Sequence, residues 1–290
     1  MNLPNVKTLK LSDSSYPEVL RHISSTPEQL FVLGTSPVEW LDKPKVAVVG
    51  SRRASPYGRQ VTERLVSELA GVGVVIISGL ALGIDSIAHQ AALEANGQTV
   101  AVLPTPLDNI YPASHNNLAQ NILSQGGTLI SEYPPGSTPY KLNFIARNRI
   151  VSGLADILLI TEAAVNSGTL HTARFALEQG KTVMAVPGNI TSPGSEGCNN
   201  LIKSGAIPAT DAGDIFFALG INPKKATKAS RFKGSPDQQA LLKLISSGIH
   251  SQEELALASK LDAASISSLL TMLEIAGVAR SLGAGNWTLA

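Results

Sequence analysis

Three short apolar runs of the chain each end in a turn of small residues, and each turn is followed by a helical pattern. The first turn is Gly50-Ser51-Arg52-Arg53, the second begins at Ser78-Gly79, and the third is Ser167-Gly168-Thr169. Glycines let backbone N–H groups approach a ligand, and helix N-termini attract anions. Because ligands of open α/β sheets bind beyond the carboxyl ends of the strands, the three turns predict a phosphate-binding edge.

The paired arginines of the first turn add to this prediction. An arginine can bind a phosphate through two parallel hydrogen bonds, and Arg52 and Arg53 come directly after a predicted strand. The alternative is that both make ordinary surface ion pairs, but their place at a strand end favours the functional interpretation. The stretch Gly50–Gly58 does not match the dinucleotide fingerprint, and no acidic residue follows it in the ribose-binding position.

The segment from Lys141 to Arg149 has the densest set of residues suited to nucleic acid. A base can stack on Phe144 while Lys141, Arg147 and Arg149 hold its phosphates. The alternative places Phe144 in the core and the arginines in internal ion pairs. Arg147 and Arg149 cannot share one helix face, so at least one of them is a candidate for a structural role.

Several ionisable residues suggest catalysis or metal binding, but none forms a complete set. Asp85 and His89 are four apart on a predicted helix and could form a base or half of a metal site. No third ligand is evident, and the favoured interpretation is a helix-capping aspartate and a structural histidine. His171 is similarly ambiguous, while Glu132 and Glu162 follow strands and could act as general bases or organise loops. We therefore predict no catalytic residue and no metal site.

These residues need a scaffold, and the chain pattern predicts an α/β domain over residues 45–220. Apolar β-branched runs alternate with helical patterns, which is typical of a parallel sheet covered by helices on both faces. Strands are expected at 46–49, 74–78, 99–103, 128–131, 157–161 and 182–186. Helices are expected at 57–70, 84–95, 114–125, 143–152, 169–179, 197–204 and 211–219. Residues 1–44 are predicted to form an irregular, partly helical lead-in.

A basic linker and a small second domain are predicted after the α/β domain. The linker, residues 221–236, has no acidic residue and five basic ones, Lys224, Lys225, Lys228, Arg231 and Lys233. It is interpreted as a solvated tether, with an auxiliary phosphate-binding tail as the alternative. Residues 237–290 predict three helices and a β-hairpin, which make a winged helix. The third helix has no Lys or Arg, which favours protein interaction over duplex recognition.

The composition limits the classes of protein that fit. With 290 residues and 43% hydrophobic content, the chain is large and apolar enough for one large domain and one small one. A net charge of only +1 means that nucleic-acid binding must come from local clusters. The single cysteine, Cys198, suits a reducing cytoplasm and is expected to be buried. No signal peptide or membrane-spanning stretch is predicted.

A series of short motifs runs along the chain in a fixed order. It comprises Gly50-Ser-Arg52, Ser78–Asp85 with His89, Leu107–Pro112, Ser131-Glu132, Phe144–Arg149, Ser167–Thr169 and Val186-Pro187-Gly188. In order and spacing the series resembles the DNA-processing protein A (DprA/Smf) family, and the C-terminal residues resemble the family's winged helix. The resemblance implies an extended Rossmann-like domain that binds single-stranded DNA, forms a homodimer and helps to load RecA in natural transformation. It also implies DNA contacts from Arg52, Lys141, Phe144 and the neighbouring glycine loops.

Two features depart from the family pattern. Thr105-Pro106 stand before Leu107, where the family usually has glycine, and this difference is expected to reshape the loop. The N-terminal helical module of some members is absent or vestigial. Any function assigned to that module is therefore not carried over to this chain.

Two other functions remain open on the residues alone. One is nucleotide binding or cleavage by an enzyme of the related Rossmann-like, lysine-decarboxylase-like superfamily. Those enzymes carry a Pro-Gly-Gly-x-Gly-Thr run, whereas the corresponding loop here is Asn166–His171. The other is a protein–protein adaptor that uses only the winged helix. The leading prediction is a non-enzymatic, cytoplasmic single-stranded DNA-binding protein without a cofactor.

Overall fold

The chain forms two compact units, Met1–Asn222 and Pro223–Ala290. The structure is a computed structural model and describes residues 6–222, 234–259, 261–283 and 285–289. All five basic residues of the predicted linker lie outside these ranges. Within these ranges, no helix combines the length and the apolar character needed to cross a membrane.

The larger unit is built on a nine-stranded sheet. Its strands are β1 (Lys7–Lys10), β2 (Gln29–Gly34), β3 (Lys45–Gly50), β4 (Val75–Ser78), β5 (Thr99–Leu103), β6 (Thr128–Ser131), β7 (Ile157–Glu162), β8 (Thr182–Ala185) and β9 (Ile207–Pro208). The order across the sheet is β1-β2-β6-β5-β4-β3-β7-β8-β9. Strands β3 to β9 pair with one another only in parallel. Strands β4, β5 and β6 lie on one side of β3, and strands β7, β8 and β9 lie on the other side. Their carboxyl ends therefore flank a topological switch point, where ligands of such sheets bind.

Helices cover both faces of this sheet. They are α1 (Glu18–Arg21), α2 (Pro56–Gly71), α3 (Ile84–Glu94), α4 (Asn116–Ser124), α5 (Asn143–Ala146), α6 (Asn148–Leu154), α7 (Thr169–Glu178), α8 (Glu196–Lys203) and α9 (Ala212–Ala218). Alternate residues of β3 enter different cores because successive side chains of a strand point to opposite faces. Ala47 and Val49 join the core with α1, α6 and α7, whereas Val46 and Val48 join the core with α2, α3 and α9.

The predicted elements of the α/β domain are present, with most ends within two residues of the expected positions. The main difference lies at 143–152, where α5 and α6 meet at Arg147 instead of forming one helix. Arg147 itself has helical dihedral angles (φ −56°, ψ −34°), so the chain keeps its direction through this point. The segment that carries Phe144 is therefore continuous with a buried helix.

Within the described part of the predicted lead-in, α1 fits the expected partly helical character, whereas the two strands β1 and β2 were not expected. β1 and β2 extend the sheet beyond β6, and both of their pairings are antiparallel. The run Leu30–Leu33 is buried and apolar, and at this length such a run is compatible with either a helix or a strand. The run forms a strand because it pairs with β6, which is distant in sequence. Trp40 is fully buried and donates its indole N–H to Thr128 Oγ1 at 3.2 Å, so the lead-in shares the main core.

The described residues of the smaller unit form three helices and a hairpin, as the pattern predicts. They are α10 (Pro236–Ser246), α11 (Gln252–Ser259), α12 (Ala263–Ile275), β10 (Ala279–Gly283) and β11 (Asn286–Leu289). Side-chain caps begin two of the helices: Ser235 accepts a hydrogen bond from the Gln238 N–H, and Asp262 accepts from Ser265. Leu241, Leu270 and Trp287 belong to the buried core that joins the helices to the hairpin.

Candidate nucleic-acid interface

The structure brings most of the predicted site residues to one edge of the sheet. β4, β3 and β7 are parallel neighbours, so the turns that follow them open on the same side. A cavity of about 480 Å³ lies at this edge and is called the strand-end cavity. The predicted residues that line it are Gly50, Ser51, Arg52, Arg53, Phe144, Arg147, Ser167, Gly168 and Thr169.

Hydrogen bonds connect the turns that surround the strand-end cavity. Thr169 donates its hydroxyl to the Gly50 carbonyl at 3.0 Å, which links the third turn to the first. The Ile84 N–H donates to the Ser51 carbonyl at 3.0 Å, which links the second turn to the first. Gly83 has φ +78°, and a Cβ on this residue would clash with the Ser51 carbonyl. Only glycine permits this close approach of the two turns.

The third turn opens α7 at the wall of the cavity. Ser167 Oγ accepts the Thr169 N–H at 3.2 Å and donates to Thr169 Oγ1 at 2.9 Å. This contact positions the first turn of α7, whose N-terminal end carries a partial positive charge. Apart from its chain neighbours, no residue has a heavy atom within 4 Å of the place where a Cβ of Gly168 would stand, so the backbone there is open to a ligand. The wall is suited to bind an anion.

An exposed cation and two aromatic rings cluster at the cavity. The guanidinium carbon of Arg52 lies over the Phe144 ring, 5.9 Å from its centroid. The Tyr111 and Phe144 rings pack edge to face, with centroids 5.0 Å apart and an interplanar angle of 85°. Phe144 is half-buried, so the alternative that places it in the core does not describe its position. The prediction of site residues omitted Tyr111, although it lies in the quoted motif Leu107–Pro112.

Arg147 lines the cavity but is bound within the protein. Its side chain is buried, and its guanidinium donates to the carbonyls of Gly79 and Val102 and to Asn148 Oδ1. Burial lowers the Arg147 pKa to about 10, with Asp85 acting in the opposite direction. A Cβ on Gly79 would clash with this guanidinium, which explains the glycine at that position. Gly79 thus makes room for a buried arginine.

Asp85 and His89 are both structural in this fold. Asp85 accepts the Gly79 N–H at 3.1 Å, and burial raises its pKa despite the nearby Arg147. Thr99 donates its hydroxyl to Ile76, so His89 donates Nδ1–H to Thr99 Oγ1 at 2.7 Å. Burial lowers the His89 pKa to about 3 and keeps the ring neutral. No cluster of three metal-ligating side chains occurs in the ranges that the structure describes.

The two candidate general bases have structural partners. Glu132 Oε1 accepts a charged hydrogen bond from Arg149 at 2.6 Å, and Arg149 also donates to the Ser25 carbonyl at 2.8 Å. Arg149 does not line the strand-end cavity. Glu162 accepts the Ser55 N–H at 2.9 Å, beside the start of α2, and its carboxylate organises that helix end.

Four further residues singled out in the sequence do not line the strand-end cavity. Ser78 is fully buried and donates to the Val48 carbonyl at 2.6 Å, away from the cavity lining. Lys141 is exposed just before α5 and also lies outside the cavity lining. Cys198 is buried, as expected, and burial raises its pKa to about 12. Thr105 donates to the Asn109 carbonyl at 2.6 Å, so the unusual Thr105-Pro106 pair is held by a local hydrogen bond.

Comparison with known proteins identifies the family. The profile described as DNA recombination-mediator protein A matches residues 7–220, and the profile of the DprA winged helix domain matches residues 222–285. The chain belongs to the DprA/Smf family. The family profiles together span both structural units, so the resemblance seen in the motifs extends over almost the whole chain.

Individual DprA/Smf relatives agree with this assignment. Protein Smf of Escherichia coli K12 is 45% identical over 238 residues, which are 81% of this chain and 63% of that protein. The chain thus spans less than two thirds of the length of this relative. The DNA processing protein DprA of Streptococcus pneumoniae R6 is 41% identical over 208 residues, 72% of each protein.

Solved DprA structures share the fold of about three quarters of this chain. The X-ray structure of DprA from S. pneumoniae has a TM-score of 0.69 at 40% identity, covering 74% of this chain and 75% of that chain. DNA processing protein A from Helicobacter pylori has a TM-score of 0.66 at 35% identity, covering 74% of this chain and 95% of that chain. The study of the H. pylori protein concerns its single-stranded DNA binding mode.

Proposed function

We propose that the strand-end edge binds single-stranded DNA and that the chain acts as a recombination mediator. The observation that carries the proposal is the Arg52–Phe144 contact at the cavity, which presents a cation and an aromatic ring together. Proteins that bind single strands without reading sequence use this combination, because the cation binds phosphate and the ring stacks on a base. The binding mode named for the H. pylori relative supports the proposal.

The proposed contacts fall into two groups. Phosphates are expected at the exposed guanidinium groups of Arg52 and Arg53 and at the Ser167–Thr169 turn, with Lys141 on the approach. A base is expected on Phe144. Ser78, Gly79, Arg147 and Arg149 are buried and shape or support the site, so their predicted direct contact with DNA is not carried into the proposal.

The partners of the chain are also proposals. Family membership supports a homodimer that loads RecA onto single-stranded DNA during natural transformation, in the cytoplasm. Light scattering of the purified chain would test dimer formation, and a mass of one chain at micromolar concentration would count against a dimer. The rate of RecA filament assembly on DNA covered by single-strand binding protein would test RecA loading. A rate unchanged by the chain would contradict loading.

We propose further that binding occurs without turnover. The candidate bases Glu132 and Glu162 accept hydrogen bonds from Arg149 and Ser55, and His89 is buried and neutral. Incubation with nucleoside monophosphates and triphosphates, with and without Mg²⁺, should leave them intact. Product in excess of the protein, lost in Glu132→Gln or Glu162→Gln, would favour the nucleotide-cleaving alternative instead.

A binding titration tests the main proposal. Fluorescence anisotropy should show tight binding of an oligothymidylate and weaker binding of a duplex of the same length or a free nucleotide. Phe144→Ala should weaken single-strand binding by about 1–3 kcal/mol, the usual loss when a stacking aromatic is removed. Phe217→Ala is the matched control, since Phe217 is 88% exposed on α9 and lines none of the strand-end cavity. Equal binding by wild type and Phe144→Ala would place the base elsewhere.

A further inference from the structure

We propose that Tyr111 and Leu82 form, together with Phe144, a slot that holds one unpaired nucleobase of the bound strand. The inference rests on the proposed binding of single-stranded DNA and adds a contact that the sequence prediction did not contain. It assigns a binding role to two exposed side chains that do not line the strand-end cavity.

The slot is a second, smaller cavity next to the strand-end cavity. Its volume is about 50 Å³, and the larger apolar side chains of its lining are Leu82, Pro104, Tyr111, Pro112 and Phe144. Arg52, Phe144 and Arg147 line both cavities, so the two spaces share a wall. A strand whose phosphates lie in the larger cavity can therefore place a neighbouring base in the smaller one.

The exposure of the slot residues matches a base as the occupant. Tyr111 is 51% exposed and Leu82 is 49% exposed, although both are large and apolar in their contact surfaces. Side chains of this kind are suited to cover the face of a base, while a phosphate would lose hydration against them. Arg52 stands at the shared wall, where its charge can bind the phosphate attached to the same nucleotide.

The size of the slot favours an unpaired base. A volume of about 50 Å³ exceeds that of a single water site several-fold but has no room for a base pair. In a duplex both faces of a base are stacked and its edge is paired, so entry would require the duplex to open. The slot thus gives a physical reason for preferring single strands over duplexes, beyond the attraction of the phosphates.

The test separates contacts to bases from contacts to phosphates. Affinity is measured for an oligothymidylate and for an abasic strand of the same length, which keeps the phosphates but lacks the bases. Tyr111→Ala should weaken oligothymidylate binding by about 5- to 150-fold, the usual loss when a stacking aromatic is removed. Leu82→Ala should weaken it by a smaller factor, because leucine has no ring. Neither variant should change abasic-strand binding by more than about twofold. Arg52→Ala should weaken both. Tyr111→Phe, which keeps the ring, should bind like wild type.

Leu177→Ala is the matched control, since Leu177 is 62% exposed on α7 and lines neither cavity. Circular dichroism and thermal unfolding establish that each variant is folded. The slot is wrong if the Tyr111→Ala and Leu82→Ala proteins bind the oligothymidylate normally while Arg52→Ala is impaired. A loss confined to Tyr111→Ala also overturns it, because Tyr111 then only supports Phe144. If wild type binds neither strand, the proposed function itself fails.

Discussion

The guanidinium of Arg52 lies over the ring of Phe144, with its carbon 5.9 Å from the ring centroid. This distance is within the range of a cation–π contact. Tyr111 packs against the same ring with centroids 5.0 Å apart. The three side chains therefore hold one another in place before a ligand arrives, and a preordered site loses less conformational entropy on binding.

Replacement of Arg52 tests the phosphate contact directly. Arg52→Ala should weaken single-strand binding and reduce the slope of log K against log salt concentration by roughly 0.7 for each phosphate that the variant no longer binds. The change in slope follows because fewer counterions are released on binding. Anisotropy titrations at several salt concentrations provide the measurement. A slope equal to that of wild type would show that Arg52 binds no phosphate.

Arg64→Ala is the control for the Arg52 experiment. Arg64 is an exposed arginine of α2 that pairs with Glu68 at 3.2 Å, so its removal makes the same change in net charge away from the site. Its salt slope should equal that of wild type. A similar reduction in both variants would mean that overall charge, and not the position of Arg52, controls binding.

Arg147 is expected to affect stability more than any exposed arginine. Arg147→Met leaves the buried Asp85 without its nearby positive charge and removes the donor to the Gly79 and Val102 carbonyls. Loss of buried hydrogen bonds from a charged donor lowers the free energy of unfolding by about 1.5–3 kcal/mol for each bond. Urea unfolding measures the decrease. Arg174→Ala, at an exposed i,i+4 pair with Glu178, should change the free energy by about 0.5 kcal/mol or less.

A double-mutant cycle identifies the origin of this decrease. If Asp85 and Arg147 stabilise each other, Arg147→Met should be less destabilising in an Asp85→Asn background. Equal decreases in the two backgrounds would show that the carbonyl contacts of Arg147, and not its charge, hold the turn.

The core strands and their turns were predictable because the pattern that encodes them is local. The run at 46–49 is apolar and β-branched, and the small residues after it have few alternatives to a strand-end turn. Strand β2 was not predicted, because its pairing with β6 joins residues far apart in sequence. A local pattern cannot reveal such a partner.

The roles of the cations at the site show the same limit. Arg52 and Arg147 are both arginines in predicted site segments, yet one is exposed and the other is 4% exposed. Their difference arises from Gly79, whose missing side chain makes room for the Arg147 guanidinium. Tyr111 was missed as a site residue because it is 33 positions from Phe144, which it contacts in the fold. The types of these residues indicated nucleic-acid binding. Only their packing in the fold distinguishes a residue that can contact DNA from one that supports the site.

The buried histidine predicts a pH dependence of stability. The His89 pKa falls from its usual 6.5 to about 3 in the folded chain, because burial disfavours the charged ring. Its contribution to stability is therefore fully present above about pH 6.5 and is lost as the pH falls toward 3. In this window the unfolded chain binds about one more proton at this residue, which changes the free energy of unfolding by roughly 1.4 kcal/mol per pH unit.

His89→Gln isolates this contribution from that of the carboxylates. Glutamine cannot take up the proton, so the variant should lose less stability than wild type between pH 6.5 and pH 4. The measurement is urea unfolding of both proteins at several pH values. Parallel pH profiles would show that His89 is protonated in the folded chain or is already accessible to water.

The basic residues before the winged helix differ in charge from the winged helix itself. The α12 helix of the winged helix has no Lys or Arg, whereas five basic residues precede α10: Lys224, Lys225, Lys228, Arg231 and Lys233. We expect the α/β unit to hold the main DNA site and these basic residues to add a nonspecific contribution. A chain ending at Leu219 lacks both the basic residues and the winged helix, and a chain ending at Gly234 lacks only the winged helix.

Both shortened chains should bind single strands, and the longer one should bind more tightly at low salt. The difference should shrink as salt rises, because exposed charges are screened. Residues 237–290 have a buried core of their own, and alone they should bind DNA weakly. Circular dichroism of that fragment serves to show that it is folded. An affinity of the folded fragment equal to that of the whole chain would make the winged helix the main DNA-binding unit and remove the strand-end cavity from that role.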